Sequence, residues 1–204
     1  MEIKNKAVAQ NNIEKNNKID TREVYKTHVS RLKVKYYEEI MESFVKHFKC
    51  ENKYQCPKIK KVVLSMGLGK RDIKKNVNDL TLIAGQKAVV TKAKKSVSQF
   101  AVRIGHDSGA KVTLRNNNMY HFLDRLINMA LLNWRAFPGL FKRSISITKG
   151  NANISLGIRD DRIFNEVKNE SLKSEGLDIT ICTNCKNHEE LQFLLSSFGL
   201  PFRG

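Results

Sequence analysis

The chain has 204 residues, with 37 Lys+Arg against 20 Asp+Glu, a formal net charge of +17 and a sequence pI near 9.8. That charge points first to nucleic acid and second to an anionic surface, while 41% hydrophobic content excludes a wholly disordered basic tail. No run approaches the ~18 apolar residues of a membrane span, so a soluble chain is expected. The basic residues fall on predicted strands and loops rather than on the basic amphipathic helix that a membrane-surface protein would need.

Residues 1–26 are polar, rich in Asn and Lys and without apolar period, and read as a flexible extension. Residues 27–204 read as one domain. Thr27 to Lys49 is a predicted helix, with Tyr37, Ile40, Met41, Phe44, Val45 and Phe48 as its apolar stripe. Pro57 opens a strand to about Met66. Val62, Leu64 and Met66 fall on one face, Lys61, Val63 and Ser65 on the other. The Gly67–Lys70 turn lacks the spacing of a phosphate loop, and Arg71 stands where Ser or Thr would be needed. Asp72 is a predicted cap for a helix carrying Ile73, Val77, Leu80, Ile83 and Ala84, closed by Gly85.

A strand follows over Lys87 to Ala93. Then comes a long loop, Lys94 to Gly109, carrying Lys94, Lys95 and Arg103. A loop of that length in a compact domain is usually functional or disordered. Lys111 to Arg115 alternates, with Val112 and Leu114 inward and Lys111, Thr113 and Arg115 outward. Lys, Thr and Arg on an open sheet face beside a cationic loop suit a polyanion.

Asn118 to Phe137 is the strongest predicted helix, with Pro138-Gly139 as its stop. His121 and Asp124 lie three apart on it and read as a solvated polar face. Gly139 to Ala152 reads as a basic loop, Asn153 to Arg159 as a strand, and Asp160 to Gly176 as irregular. Leu177 to Thr183 is a strand. Asn187 and Glu190 form a box-like cap on a last helix whose stripe is Leu191, Leu194, Leu195 and Phe198. From Pro57 to Arg115 fourteen basic residues stand against three acids, so most of the net charge lies in well under a third of the chain.

The cysteines are Cys50, Cys56, Cys182 and Cys185. A four-thiolate zinc site must be weighed, since Cys182 and Cys185 form a C-x-x-C. Cys50 and Cys56 are too widely spaced for a knuckle, and Cys182 falls at a strand end. Free thiols in a reducing compartment, with no metal and no cofactor, are the expectation.

Several motifs, in order, carry a resemblance. KIKKVVLSMGLG, LIAGQKAVVTKAKKSVSQFAVRIG, GAKVTLRNNNMYHFLDRLINMAL, NISLGI, GLDITI and the terminal LPFRG resemble the universal ribosomal protein L five family of the large subunit. The resemblance covers about Pro57 to Gly204. It implies an α+β fold: an antiparallel sheet with helices packed on one face and the other face open for RNA. It also implies binding of 5S rRNA in the central protuberance, with large-subunit rRNA and other proteins of the protuberance as neighbours. The loop 94–109 would contact P-site tRNA, and another edge would form an intersubunit bridge to a protein of the small-subunit head.

Carried onto this chain, the expected 5S rRNA set is Lys61, Ser65, Gln86, Lys92, Lys111, Thr113 and Arg115. The expected tRNA-contacting loop residues are Lys94, Lys95, Ser96, Gln99, Phe100 and Arg103. Ser65 departs from the family's usual Asn, which shortens the reach of that contact. Gln99 replaces a loop glycine, and a stiffer tip is expected. Ile163-Phe164-Asn165-Glu166 lacks the family's proline, and Ile181-Cys182-Thr183-Asn184-Cys185 replaces a run of threonines and alanine.

The expected role is structural, without catalysis. The alternative is an RNA-processing or nucleotide-acting enzyme, which would need a convergent nucleophile, base or metal set. Asp72, Asp79 and Asp107, the acids of the basic region, form no such pair. The Asn/Lys bias and the missing import signal point to an organelle-encoded, mitochondrial ribosome; the bacterial cytoplasm is the alternative.

Overall fold

Alternating apolar residues build the frame of the molecule, and each inward side of that alternation reaches one shared core. The computed structural model describes residues 29–50, 52–67, 73–134, 137–148, 150–167 and 176–203. The 1–26 extension, the turn from Leu68 to Lys70 and the Asp72 cap lie outside the described residues.

Six strands form one antiparallel sheet. They are β1 (Ile59–Gly67), β2 (Val89–Lys92), β3 (Asp107–Leu114), β4 (Ile145–Thr148), β5 (Asn151–Ile158) and β6 (Leu177–Thr183). Their order is β2-β3-β1-β6-β5-β4. Register places Leu114, Val62, Ile181, Ile154 and Ile145 in one row across five strands, all buried. Such aligned aliphatic rows are the unit of sheet stabilisation, because each Cβ meets its neighbours directly.

Helices cover that apolar face. The first, α1, runs through Arg31–Lys35, a π-turn over Tyr36–Ile40, and Met41–Phe48. Its buried residues are Leu32, Tyr36, Ile40 and Phe44, in steps of four. A regular helix would drift by about 40° at each such step; the wide turn takes back part of the drift. Tyr36, not Tyr37, therefore enters the core, donating its hydroxyl to the Pro57 carbonyl at 3.0 Å, while Tyr37 is 58% exposed.

Helix α2 (Ile73–Ala84) packs on β3 and β1, with Leu80, Ile83 and Ala84 buried. It ends at Gly85, whose φ of +64° is the left-handed conformation expected there. Helix α3 runs through Asn116–Arg125, a second π-turn over Leu126–Ala130, and Leu131–Asn133. It stops at Trp134, before the Pro138-Gly139 pair. Helix α4 (His188–Ser197) buries Leu191, Leu194 and Leu195, with Phe198 following. Asn187 makes no side-chain cap bond; instead the Glu190 carboxylate accepts from the Lys186 N–H at 2.8 Å.

Three other expectations are corrected. The segment read as a basic loop after Gly139 contains β4, a four-residue edge strand. Strand β3 starts at Asp107, so the long loop is shorter at its far end than 94–109. Asp124 is not merely solvated: the Arg31 guanidinium grips both its carboxylate oxygens at 2.8–3.0 Å, and Asn128 donates to it at 2.7 Å.

Candidate nucleic-acid interface

The outward side chains of the same strands form the second face of the sheet. Period-two alternation puts Lys61, Val63, Ser65 and Gly67 of β1 there, beside Gly109, Lys111 and Thr113 of β3. One row reads Val89, Lys111, Ser65, Asp178 and Gly157. The next reads Thr113, Val63, Thr180 and Ser155, in which the Ser155 and Thr180 hydroxyls lie 3.2 Å apart. A third reads Lys61, Cys182, Asn153 and Ser146. These side chains are exposed or half-buried. The face is thus cationic over β3 and β1; over β6 and β5 it carries hydroxyls, an amide and a thiol, with Asp178 as its one carboxylate among the described residues of those rows.

Glycine is required at one point on it. A Cβ on Gly109 would stand 2.7 Å from the Met66 carbonyl oxygen and 3.1 Å from Thr91 Oγ1. The close approach of β3 to β1 at that end therefore excludes any side chain.

The turn from α2 into β2 brings Gln86 to this sheet. Thr81 Oγ1 donates to the Val77 carbonyl at 2.6 Å and accepts from the Ala88 N–H at 3.1 Å, which anchors the turn at both ends. Gln86 is exposed, and its Nε2 donates to the Thr113 carbonyl at 3.5 Å. Of the expected RNA set, the structure brings Lys61, Ser65, Lys111, Thr113 and Gln86 together. Arg115 is exposed just past β3, at the start of α3. Lys92 lies beyond a bulge, opposite Asp107, at the root of the loop rather than in the middle of the face.

The loop itself is a stitched hairpin extension. Ala93 donates to the His106 carbonyl at 2.7 Å and accepts from Gly105 at 3.0 Å. Val97 and Val102 pair, closing a 3-10 turn over Ser98–Phe100, and the Ile104 N–H donates to Ser96 Oγ at 3.1 Å. Lys94, Lys95, Ser96, Gln99, Phe100 and Arg103 are all exposed, Phe100 by 75%. The left-handed residue of the tip is Ala101, with φ +53°, so Gln99 occupies a position with no need of glycine.

The cysteines divide by environment. Cys182 is half-buried on the open face, whereas Cys185 is fully buried in the core. Burial pushes the Cys185 thiol up to about 11. Among the described residues no group of three or more His, Cys, Asp or Glu could hold a metal ion, and no helix is long and apolar enough to cross a membrane. The missing-proline segment is packed nonetheless: Phe164 is buried and stacks on Phe122 at 6.0 Å, and Glu166 pairs with Arg125.

Asp178, Thr180, Cys182, Asn153 and Ser155 were not expected in the site. They carry no positive charge, and only their register reveals that they share the face.

Residues 52–103 match the family model of ribosomal protein L5, and residues 107–202 match that of the C-terminal part of the ribosomal L5 family. The chain belongs to the ribosomal protein L5 family. It is 45% identical over 181 residues to large ribosomal subunit protein uL5 of Geobacter sulfurreducens, covering 86% of this chain and 99% of that protein. It is 44% identical over 182 residues to uL5 of Ruminiclostridium cellulolyticum, covering 85% and 98%. The uL5 of Brevibacillus brevis is 41% identical over 180 residues, covering 85% and 98%. As a uL5 family member the chain is a structural constituent of the large ribosomal subunit and not an enzyme, with ribosomal RNA and ribosomal proteins as its partners.

Proposed function

We propose that the open sheet face binds 5S rRNA in the central protuberance. The observation that carries this is the convergence of Lys61, Ser65, Lys111 and Thr113 on adjacent strands, with Gln86 held at their border. Cationic side chains there neutralise phosphates and release counterions. Hydroxyls and amides on the same plane suit the 2′-hydroxyls of a shallow RNA minor groove.

The loop that begins at Lys94 and ends before β3 contacts P-site tRNA in this reading. Its support is the stitched base, which holds Lys94, Lys95, Phe100 and Arg103 out from the sheet. An edge of the domain bridges to the small-subunit head. The relatives named above are bacterial and favour a bacterial ribosome over the mitochondrial one that the sequence reading expected.

The test is a titration of the purified chain against a 5S rRNA transcript and a duplex of equal length. Tighter binding of 5S rRNA, with the RNA unchanged in length, is expected. Equal affinity for both RNAs would refute the assignment.

A further inference from the structure

The ladder between β4 and β5 ends early. Ile145 faces Ile154, and beyond it the chain leaves the sheet in the 3-10 turn Lys142–Ser144. Strand β5 continues to Ile158, paired over this stretch only with β6 among the described residues. The direction of its backbone groups follows from one bond: Ala152 donates to the Cys185 carbonyl at 2.7 Å, toward β6. Backbone groups alternate along an antiparallel strand. Ser155 and Gly157 therefore turn their N–H and C=O outward, past the end of β4.

A cavity of about 420 Å³ lies along this free edge. Ser155, Gly157 and Arg159 form one wall; Trp134, Phe137 and Phe141 contribute to the other. No acid is among the described residues that line it. Its rim is cationic. Arg143 and Arg203 lie over the Phe141 ring at 4.6 and 5.6 Å, and Arg159 is exposed. Of the nearby acids, Asp160 is held by Arg162, and Asp178 belongs to the open face beyond Gly157. The C-terminal tail secures the outer wall: Leu140 and Phe202 bridge in parallel, and Leu140 exchanges backbone bonds with Pro201 and Arg203, both at 2.9 Å.

We propose that this slot docks an extended, acidic segment of a partner protein, which adds a short strand to the free edge of β5. Unpaired edge groups supply a template for strand addition. The aromatic wall receives alternate apolar side chains, and the arginine rim selects carboxylates on the others. Ser155 and Gly157 border both this slot and the open face, but the proposal rests on their outward backbone groups and the arginine rim and not on RNA binding.

Trp134 is the chain's single tryptophan and stands in the slot, so its fluorescence reports occupancy. The full chain is titrated with a synthetic peptide alternating valine and glutamate. The other arms are the same peptide N-methylated at alternate backbone amides, and a single-stranded oligoribonucleotide. The expected result is a saturable Trp134 signal with the acidic peptide, weakened by about tenfold on N-methylation. The Arg143→Glu, Arg159→Glu double variant should weaken it comparably. Equal binding of the N-methylated peptide would overturn strand addition, even if the double variant failed to fold. A Trp134 response to the oligoribonucleotide and none to the peptide would show a nucleotide-stacking site instead, and silence in every arm would show no docking site.

Discussion

Gln86 Nε2 donates to the backbone carbonyl of Thr113 at 3.5 Å, across a separation of 27 residues. The turn after α2 thereby delivers an exposed amide to the rim of a strand that presents Lys111 and Thr113 outward. Replacing both Gln86 and Thr113 with Ala should reduce 5S rRNA affinity by about 1–2 kcal/mol, the loss of one or two hydrogen bonds. The melting temperature should hardly move, since neither side chain is in the apolar core. Filter binding and a melting curve on the same preparation check this.

Lys61 and Lys111 flank Ser65 and Thr113 on that face. Changing each to Gln should lower affinity for any RNA and reduce the slope of log K against log salt by about one per charge. Binding isotherms at several salt concentrations measure the slope. An unchanged slope would place the phosphates elsewhere.

The loop should separate from 5S rRNA binding. Removing Lys95 to Arg103 while keeping Ala93 and His106 preserves the bonds that close its base. 5S rRNA affinity should persist, while ribosomes carrying the deletion retain P-site tRNA less well. Loss of both activities together would refute the division of labour.

Leu64 is fully buried in the central strand, facing Val112 on one side and Ile179 on the other. Leu64→Ala should cost about 2–5 kcal/mol in a denaturant titration, because the rigid sheet cannot collapse into the space.

Alkaline pH should destabilise the fold. Burial raises the Cys185 thiol from 9.0 to about 11 and the Tyr120 hydroxyl from 10.0 to about 12; Tyr36 moves the same way. Each raised acid keeps its proton in the folded state while the unfolded state releases it. Stability is therefore full below about pH 9 and falls as pH climbs toward 11. Denaturation midpoints across that window should decline, and Cys185→Ala should flatten the first part of the decline.

How far the fold could be read from residues varies by element, for physical reasons. Leu177 to Thr183 matches β6 end to end because both of its neighbours lie within the sheet and force strict alternation. Strand β4 was missed: Ile145-Ser-Ile-Thr is short, lies at an edge and sits among Lys142, Arg143 and Lys149. The start of β3 was missed because Asp107-Ser-Gly has no apolar alternation; the ladder to β2 and Gly67 holds it extended. Tyr36 exchanged roles with Tyr37 through a π-turn, which a fixed period of 3.6 cannot anticipate. The cationic half of the candidate site was legible, since alternation alone puts Lys61 and Ser65, and Lys111 and Thr113, on one side. The half over β6 and β5 required knowing that β6 lies between β1 and β5.

The central claim is that 5S rRNA lies on the open face, and two thiols report on it from different places. Cys182 is half-buried on that face, in the row of Lys61 and Asn153, whereas Cys50 follows the end of α1, in the helical layer. A thiol-linked photocrosslinker is placed on Cys182 in a Cys50→Ser variant, and on Cys50 in a Cys182→Ser variant. Each is irradiated in complex with 5S rRNA. A crosslink to 5S rRNA from Cys182 and none from Cys50 is the predicted result; a crosslink from Cys50 and none from Cys182 would contradict it.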